Sequence, residues 1–145
     1  MQCSDRVTYR LDRSKGFIET RCVGPVNLPD VMEHFARLEA DADLPEQLDV
    51  LLDLTEMTSV PEAGQLRQVA DAVGRLAAAV RLRAIAVVAS RDVLFGMSRV
   101  FEAFIDERLE RVRVFRAADD ARRWLACPEA LAIGPEAGIF SPKAL

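Results

Sequence analysis

A chain of 145 residues is long enough to close one hydrophobic core without disulfide or metal staples, and two full domains would be cramped. Half of its residues are hydrophobic and 29% are charged, which is the balance of a folded protein and not of a disordered one. A net charge of -4, with the arginines interleaved among Asp and Glu, argues against a nucleic-acid partner, because phosphate binding rests on clustered cations.

The polar, strand-like start of the chain lacks the apolar stretch of a secretion signal. The longest uninterrupted apolar run, Ala84 to Ala89, is far short of the roughly 20 residues that cross a bilayer as a helix. A cytoplasmic location without membrane insertion is therefore expected. Cys3, Cys22 and Cys127 form no ligand-like spacing, and an odd number suits free thiols in a reducing compartment, so no metal is expected.

Taken in chain order, Arg6 to Leu11 alternates between apolar and polar residues. Phe17 to Val23 does the same after the turn formers Asp12 to Gly16, so the pair reads as an antiparallel hairpin. Gly24-Pro25 ends it. Asn27, Pro29 and Asp30 then supply a cap, an early proline and an acidic residue three positions after the cap, the signature of a helix start; Val31, Phe35, Leu38 and Ala42 continue at helical spacing. Val50 to Leu54 is a near-continuous apolar strand of the kind covered on both faces, followed by a loop over Thr55 to Thr58. Ser59-Val60-Pro61-Glu62 reads as a second capping pattern. Leu66, Val69, Ala70, Val73, Leu76, Ala77 and Val80 form the stripe of the longest helix. Ala84 to Ala89 is another buried strand, and Ser90-Arg91-Asp92 starts a helix with the stripe Val93, Met97, Val100, Phe101 and Phe104. Val112 to Arg116 makes a last strand, and Ala118 to Leu125 a short helix with Ala121, Trp124 and Leu125 inward.

The order β-β-α-β-α-β-α-β-α predicts an α/β fold, a single domain with a mixed, mostly parallel sheet of about five strands and helices on both faces. The domain spans 1–126. The Pro-, Gly- and Ala-rich stretch over 127–145 reads as a C-terminal tail.

Three stretches carry a family resemblance. Val50 to Val60 resembles the central strand and following loop of STAS domains, the fold of bacterial anti-sigma-factor antagonists. Arg83 to Ala89, and Val112 to Arg116 running into Ala121-Arg122-Arg123-Trp124-Leu125, resemble the closing half of the SpoIIAA-like group, in which a strand ending in Phe precedes a short helix ending in Trp-Leu. The resemblance covers about Arg6 to Leu125 and implies a bacterial regulatory or interaction domain. One departure matters. In the antagonists the loop carries Asp-Ser-Ser-Gly with the phosphorylated serine before the glycine, whereas this chain has Pro61-Glu62-Ala63-Gly64. Alanine takes no phosphate, so kinase control of the usual kind is not expected. Thr58 and Ser59 are the nearest alternative hydroxyls, and helix capping already accounts for Ser59.

No catalytic constellation emerges. The only histidine, His34, sits on the shoulder of the stripe Val31, Phe35 and Leu38, as a partly exposed helix residue would, and no nucleophile stands in a strand-to-helix elbow. Asp53 interrupts an apolar strand near its carboxyl end, the edge where open α/β sheets bind ligands. Either it accepts hydrogen bonds from the following loop or an arginine, or it serves a ligand, with Glu56 nearby as a second carboxylate. Phe95 lies opposite its helix stripe, beside Arg99, and should face outward, either under a loop or tail or at a partner surface.

The sequence thus reads as a non-enzymatic, STAS-like interaction domain with no cofactor, forming a homo-oligomer such as a dimer or binding a protein. Its partner or ligand edge would run through Asp53, Glu56, Thr58, Ser59, Arg91, Phe95 and Arg99. The alternative reading is a carrier or sensor of a small apolar, lipid-like ligand held between the Met97 to Phe104 stripe and the sheet.

Overall fold

The computed structural model describes residues 6–105 and 111–126. The expected tail over 127–145 lies outside the described residues, as do Cys3 and Cys127.

The hairpin forms as its alternation predicts. β1 (Val7–Asp12) pairs antiparallel with β2 (Phe17–Gly24), from Val7 opposite Cys22 to Asp12 opposite Phe17. Asp12 Oδ1 holds the turn by accepting from Ser14 Oγ at 2.7 Å and from the Lys15 amide at 3.3 Å. Gly16 closes it at φ 62°, where a Cβ would stand 2.7 Å from the Gln47 carbonyl oxygen, so the turn needs glycine for conformation and for space.

Gly24 takes a positive φ as β2 ends, and α1 (Leu28–Glu39) follows. Its capping box forms as expected: Asn27 Oδ1 accepts from the Asp30 amide, and Asp30 Oδ2 accepts from the Asn27 amide. The helix stops at Glu39, so Ala42 falls outside it.

β3 (Gln47–Met57) is longer than the apolar run Val50 to Leu54. The polar Thr55 and Glu56, expected in a loop, stay in the strand because the end of β2 resumes pairing beyond a register irregularity between Arg21 and Val23, with Val23 opposite Glu56 and Gly24 opposite Met57. α2 (Ala63–Ala79) begins later than expected. Its cap is Glu62 in a capping box with Gln65, and Ser59 instead donates to the Val26 carbonyl at 2.5 Å. Ser59 is thus a tie between segments and not a helix cap.

β4 (Arg81–Val88), α3 (Asp92–Phe104), β5 (Arg111–Phe115) and α4 (Ala118–Leu125) complete the domain. The sheet runs β1-β2-β3-β4-β5 in chain order, with only β1 antiparallel to its neighbour. β3 and β4 are interior strands, as their apolar runs require.

Strand alternation sorts the side chains into two layers. Ile18, Leu48, Ile85, Val87 and Val114 pack under Leu38 of α1, Leu66 and Leu76 of α2, and Phe101 of α3. On the opposite face Leu51, Ala84, Ala86 and Val88 meet Ala121 and Leu125 of α4, the one helix on that face among the described residues. Alanines suit that face because they let the short helix lie close. Trp124 packs on Phe115 at 5.5 Å between ring centroids.

The phase of α3 differs from expectation. Leu94, Ser98 and Phe101 are buried, while Val93 and Val100 are exposed. The inward face is turned by about one residue, roughly 100°. Phe101 is inward in either phase, and the polar Ser98 in the observed inward stripe of Leu94, Ser98 and Phe101 masked the true period. Phe95 accordingly does not face outward: it is half-buried, packs against two core clusters, and lies beneath Arg116.

Candidate functional site

Two features compete for the site. The first is the rim formed by the carboxyl ends of the strands. Asp53 Oδ1 accepts from the Thr55 amide at 2.9 Å and from Thr55 Oγ1 at 2.7 Å, a local turn around its carboxylate. Glu56 pairs with Arg21 at 2.8 Å and leaves Asp53 without a carboxylate partner in that pair. Thr58 is exposed and donates its amide to the Gly24 carbonyl at 2.9 Å. Arg91 Nη1 donates to the Met57 carbonyl at 2.8 Å, tying the start of α3 to the end of β3. Arg99 stands two turns along α3, exposed and paired with Glu102.

The fold therefore brings Arg91 to Met57, ties Ser59 to Val26, holds Asp53 in a local turn and Glu56 against Arg21, and leaves Arg99 paired with Glu102 further along α3. The strand order never reverses, so this rim lacks the switch point at which open α/β sheets usually form their crevice.

The second feature is a cavity of about 440 Å³ between the sheet and α1, α2 and α3. Ile18, Thr20 and Cys22 of β2 and Leu48, Val50, Leu52 and Leu54 of β3 line its floor. Val31, His34, Phe35 and Leu38 of α1, Leu66, Val69 and Val73 of α2, and Leu94, Met97 and Phe101 of α3 line its walls. Val50, Leu52 and Leu54 belong to a central strand with a helical layer above it, yet each stays partly exposed. The surface they expose is the cavity wall. Asn27, Val60 and Glu62 are exposed lining residues, and they place the mouth between the start of α1 and the segment entering α2.

Its size and wall chemistry match those of small-molecule pockets. Pockets that hold small molecules run from about 300 to 1,000 Å³ with mostly apolar walls. Water is a poor filler, because it needs several polar partners and these walls offer few.

The buried polar side chains in the lining are Thr20, His34 and Ser98, each at least nine-tenths buried, while Asn27, Ser59, Glu62 and Gln65 are more exposed. His34 is therefore not a partly exposed helix residue. At 6% exposure it packs edge-on to Tyr9, 5.5 Å between ring centroids, and beside Phe35. Its Nδ1 has no hydrogen-bond partner, and burial with the nearby Arg37 charge pushes its pKa down to about 4, so the ring is neutral at pH 7. Cys22, also in the lining, is buried enough to push its thiol up to about 12, which keeps it protonated and unreactive.

Among the described residues no group of His, Cys, Asp and Glu is arranged to hold a metal, and no helix is long and apolar enough to cross a membrane. On the α4 face of the sheet, Arg83 clasps Asp49 through Nε at 3.1 Å and Nη2 at 2.6 Å. The signal for that pair was parity: Asp49 shares a face with Leu51, so its side chain had to find a cation there.

A protein-family model described as SpoIIAA-like matches residues 17–126. The chain belongs to the SpoIIAA-like family. A solved structure with a similar fold is that of an uncharacterized protein of the DUF3478 family, with a SpoIIAA-like fold, from Shewanella loihica PV-4. It is 16% identical, covers 82% of this chain and 91% of its own, and superposes with a TM-score of 0.54. At that identity the likeness is one of fold. No curated protein matches the chain. Within this SpoIIAA-like domain, Ala63, at the place of the antagonists' serine, is the exposed first residue of α2.

Proposed function

We propose that this SpoIIAA-like domain is a non-enzymatic binding module that holds a small apolar, chain-like ligand between its sheet and α1 to α3. The observation that carries the reading is the 440 Å³ cavity under the helical layer, walled by aliphatic and aromatic side chains. Catalysis finds little support there, since the titratable groups of the lining are a neutral imidazole, a protonated thiol and an exposed Glu62 at the mouth. A guest would restore the contacts that the walls lack and so stabilise the fold in proportion to its occupancy. The test is displacement of a fluorescent apolar probe, anilinonaphthalene sulfonate, by undecane in the wild type and in Val50→Phe. The larger side chain should occupy the cavity and abolish displacement while the fold persists; equal displacement in both proteins would reject the cavity as the site.

A second reading rests on a different observation. Val23, Val60 and Val93 are exposed near the carboxyl rim, where Arg91 joins β3 to α3. Such valines suit docking of a protein or of a second copy of the chain, with the SpoIIAA-like rim as an interaction edge. Sedimentation of Val60→Glu and Val93→Glu tests it: a smaller species than the wild type supports self-association through the rim, and unchanged profiles reject it.

A further inference from the structure

His34 is the one residue of α1 whose chemistry does not suit the position it occupies. Its neighbours in the cavity wall, Val31, Phe35 and Leu38, are apolar, and a leucine at position 34 would extend their stripe without cost. Instead the helix carries an imidazole that is 6% exposed. Its Nδ1 is sealed from solvent without a partner, and so is Nε of Arg37, one turn further along the helix. Buried polar atoms left unpaired are rare in native proteins and call for an explanation.

A neutral imidazole has one N–H and one lone pair. Orphaned N–H groups are the rarer case in folded proteins, so the sealed, unpartnered Nδ1 suits the lone pair. That puts the proton on Nε2, the ring nitrogen that is not sealed, in a residue that lines the cavity. Thr20, on the strand next to Tyr9, adds a buried hydroxyl to the same wall.

We propose that the apolar ligand carries an oxygen acceptor, a carbonyl or carboxyl oxygen, which takes a hydrogen bond from His34 Nε2–H at this wall. The proposal rests on the apolar-cavity reading above and adds to it a ligand class: an aliphatic chain with an oxygenated end, not a plain hydrocarbon. His34 is then a specificity-determining residue, and the rest of the lining measures the chain.

Two probes separate the claims. The ratio of affinities for 2-undecanone and undecane is measured in the wild type, in His34→Leu and in His34→Gln. The wild-type ratio should favour the ketone by roughly tenfold more than the His34→Leu ratio does, since one well-placed hydrogen bond in an apolar site is worth about a factor of ten. His34→Gln, which keeps an N–H near the Nε2 position, should recover most of the preference. The chain has a single histidine, so its imidazole nitrogens can also be read by NMR in the unmutated protein. They should report the Nε2–H form, and Nε2 should shift with 2-undecanone but not with undecane. An Nδ1–H form, or the same ratio in all three proteins, overturns the proposal while leaving the cavity reading intact. If neither probe binds the wild type, both fall.

Discussion

The Arg116 guanidinium lies 4.1 Å from the centroid of the Phe95 ring and reaches past it to Asp92, with its Nη1 2.5 Å from Asp92 Oδ1. The contact fastens the first turn of α3 to the end of β5, and beneath it Phe95 packs against the core. Phe95→Ala should therefore destabilise the domain by about 2 kcal/mol, less than a fully buried phenylalanine because the ring is half-covered. Urea denaturation measures it; a change below about 0.5 kcal/mol would assign the ring to a free surface.

Asp49 and Arg83 form a specific polar joint between β3 and β4. Asp49 is 8% exposed and Arg83 meets it with two parallel N–H donors. Because the arginine keeps contact with solvent, a double-mutant cycle of Asp49→Ala and Arg83→Ala should give a coupling of about 1 to 2 kcal/mol. A coupling near zero would mean that the pair is a surface ornament.

The Asn27 capping box and the Ser59 tie make different demands. Asn27→Ala should cost about 1 kcal/mol by exposing an unsatisfied amide at the start of α1. Ser59→Ala removes a hydrogen bond to Val26 and no cap, so its cost should not appear as fraying of α2. Amide hydrogen exchange in the first turn of α2 distinguishes the two, with faster exchange there in Ser59→Ala counting against this assignment.

The buried imidazole of His34 makes stability depend on pH in a defined window. The unfolded ring titrates near 6.5 and the folded one near 4. Above 6.5 both states are neutral and the full stability is present. Below it the unfolded chain takes up a proton that the folded one resists, so stability falls as pH drops toward 4, by about 3 kcal/mol over the window. Tyr9, Phe35 and Arg37 surround the ring and none is a carboxylate, so nothing in that set offsets the loss. The difference between wild type and His34→Leu, followed by denaturation from pH 7 to pH 4, isolates this slope from the carboxylates; a constant difference would contradict the burial of His34.

Most of the architecture was legible because the elements carried strong local signals. The hairpin followed from alternation about Asp12 to Gly16, α1 from Asn27 and Asp30, and the interior strands from continuous apolar runs. The site was less legible. β3 extends through Thr55 to Met57 because β2 pairs with Glu56 and Met57, and a partner strand leaves no trace in the residues themselves. Ser98 and His34 face inward beside a cavity, so inward polarity broke the very periodicity used to assign a face. A cavity is also a property of what does not fill the space between layers. The Met97 to Phe104 stripe reads equally as packed core or as pocket wall until the helices are set above the sheet.

Native mass spectrometry of protein purified without detergent tests the central claim most directly. The account predicts a species heavier than the bare chain by the mass of a small organic guest, which denaturation releases and which is absent from Val50→Phe. A spectrum showing the bare mass alone, from a protein that also fails to take up undecane or 2-undecanone when they are added, would contradict it.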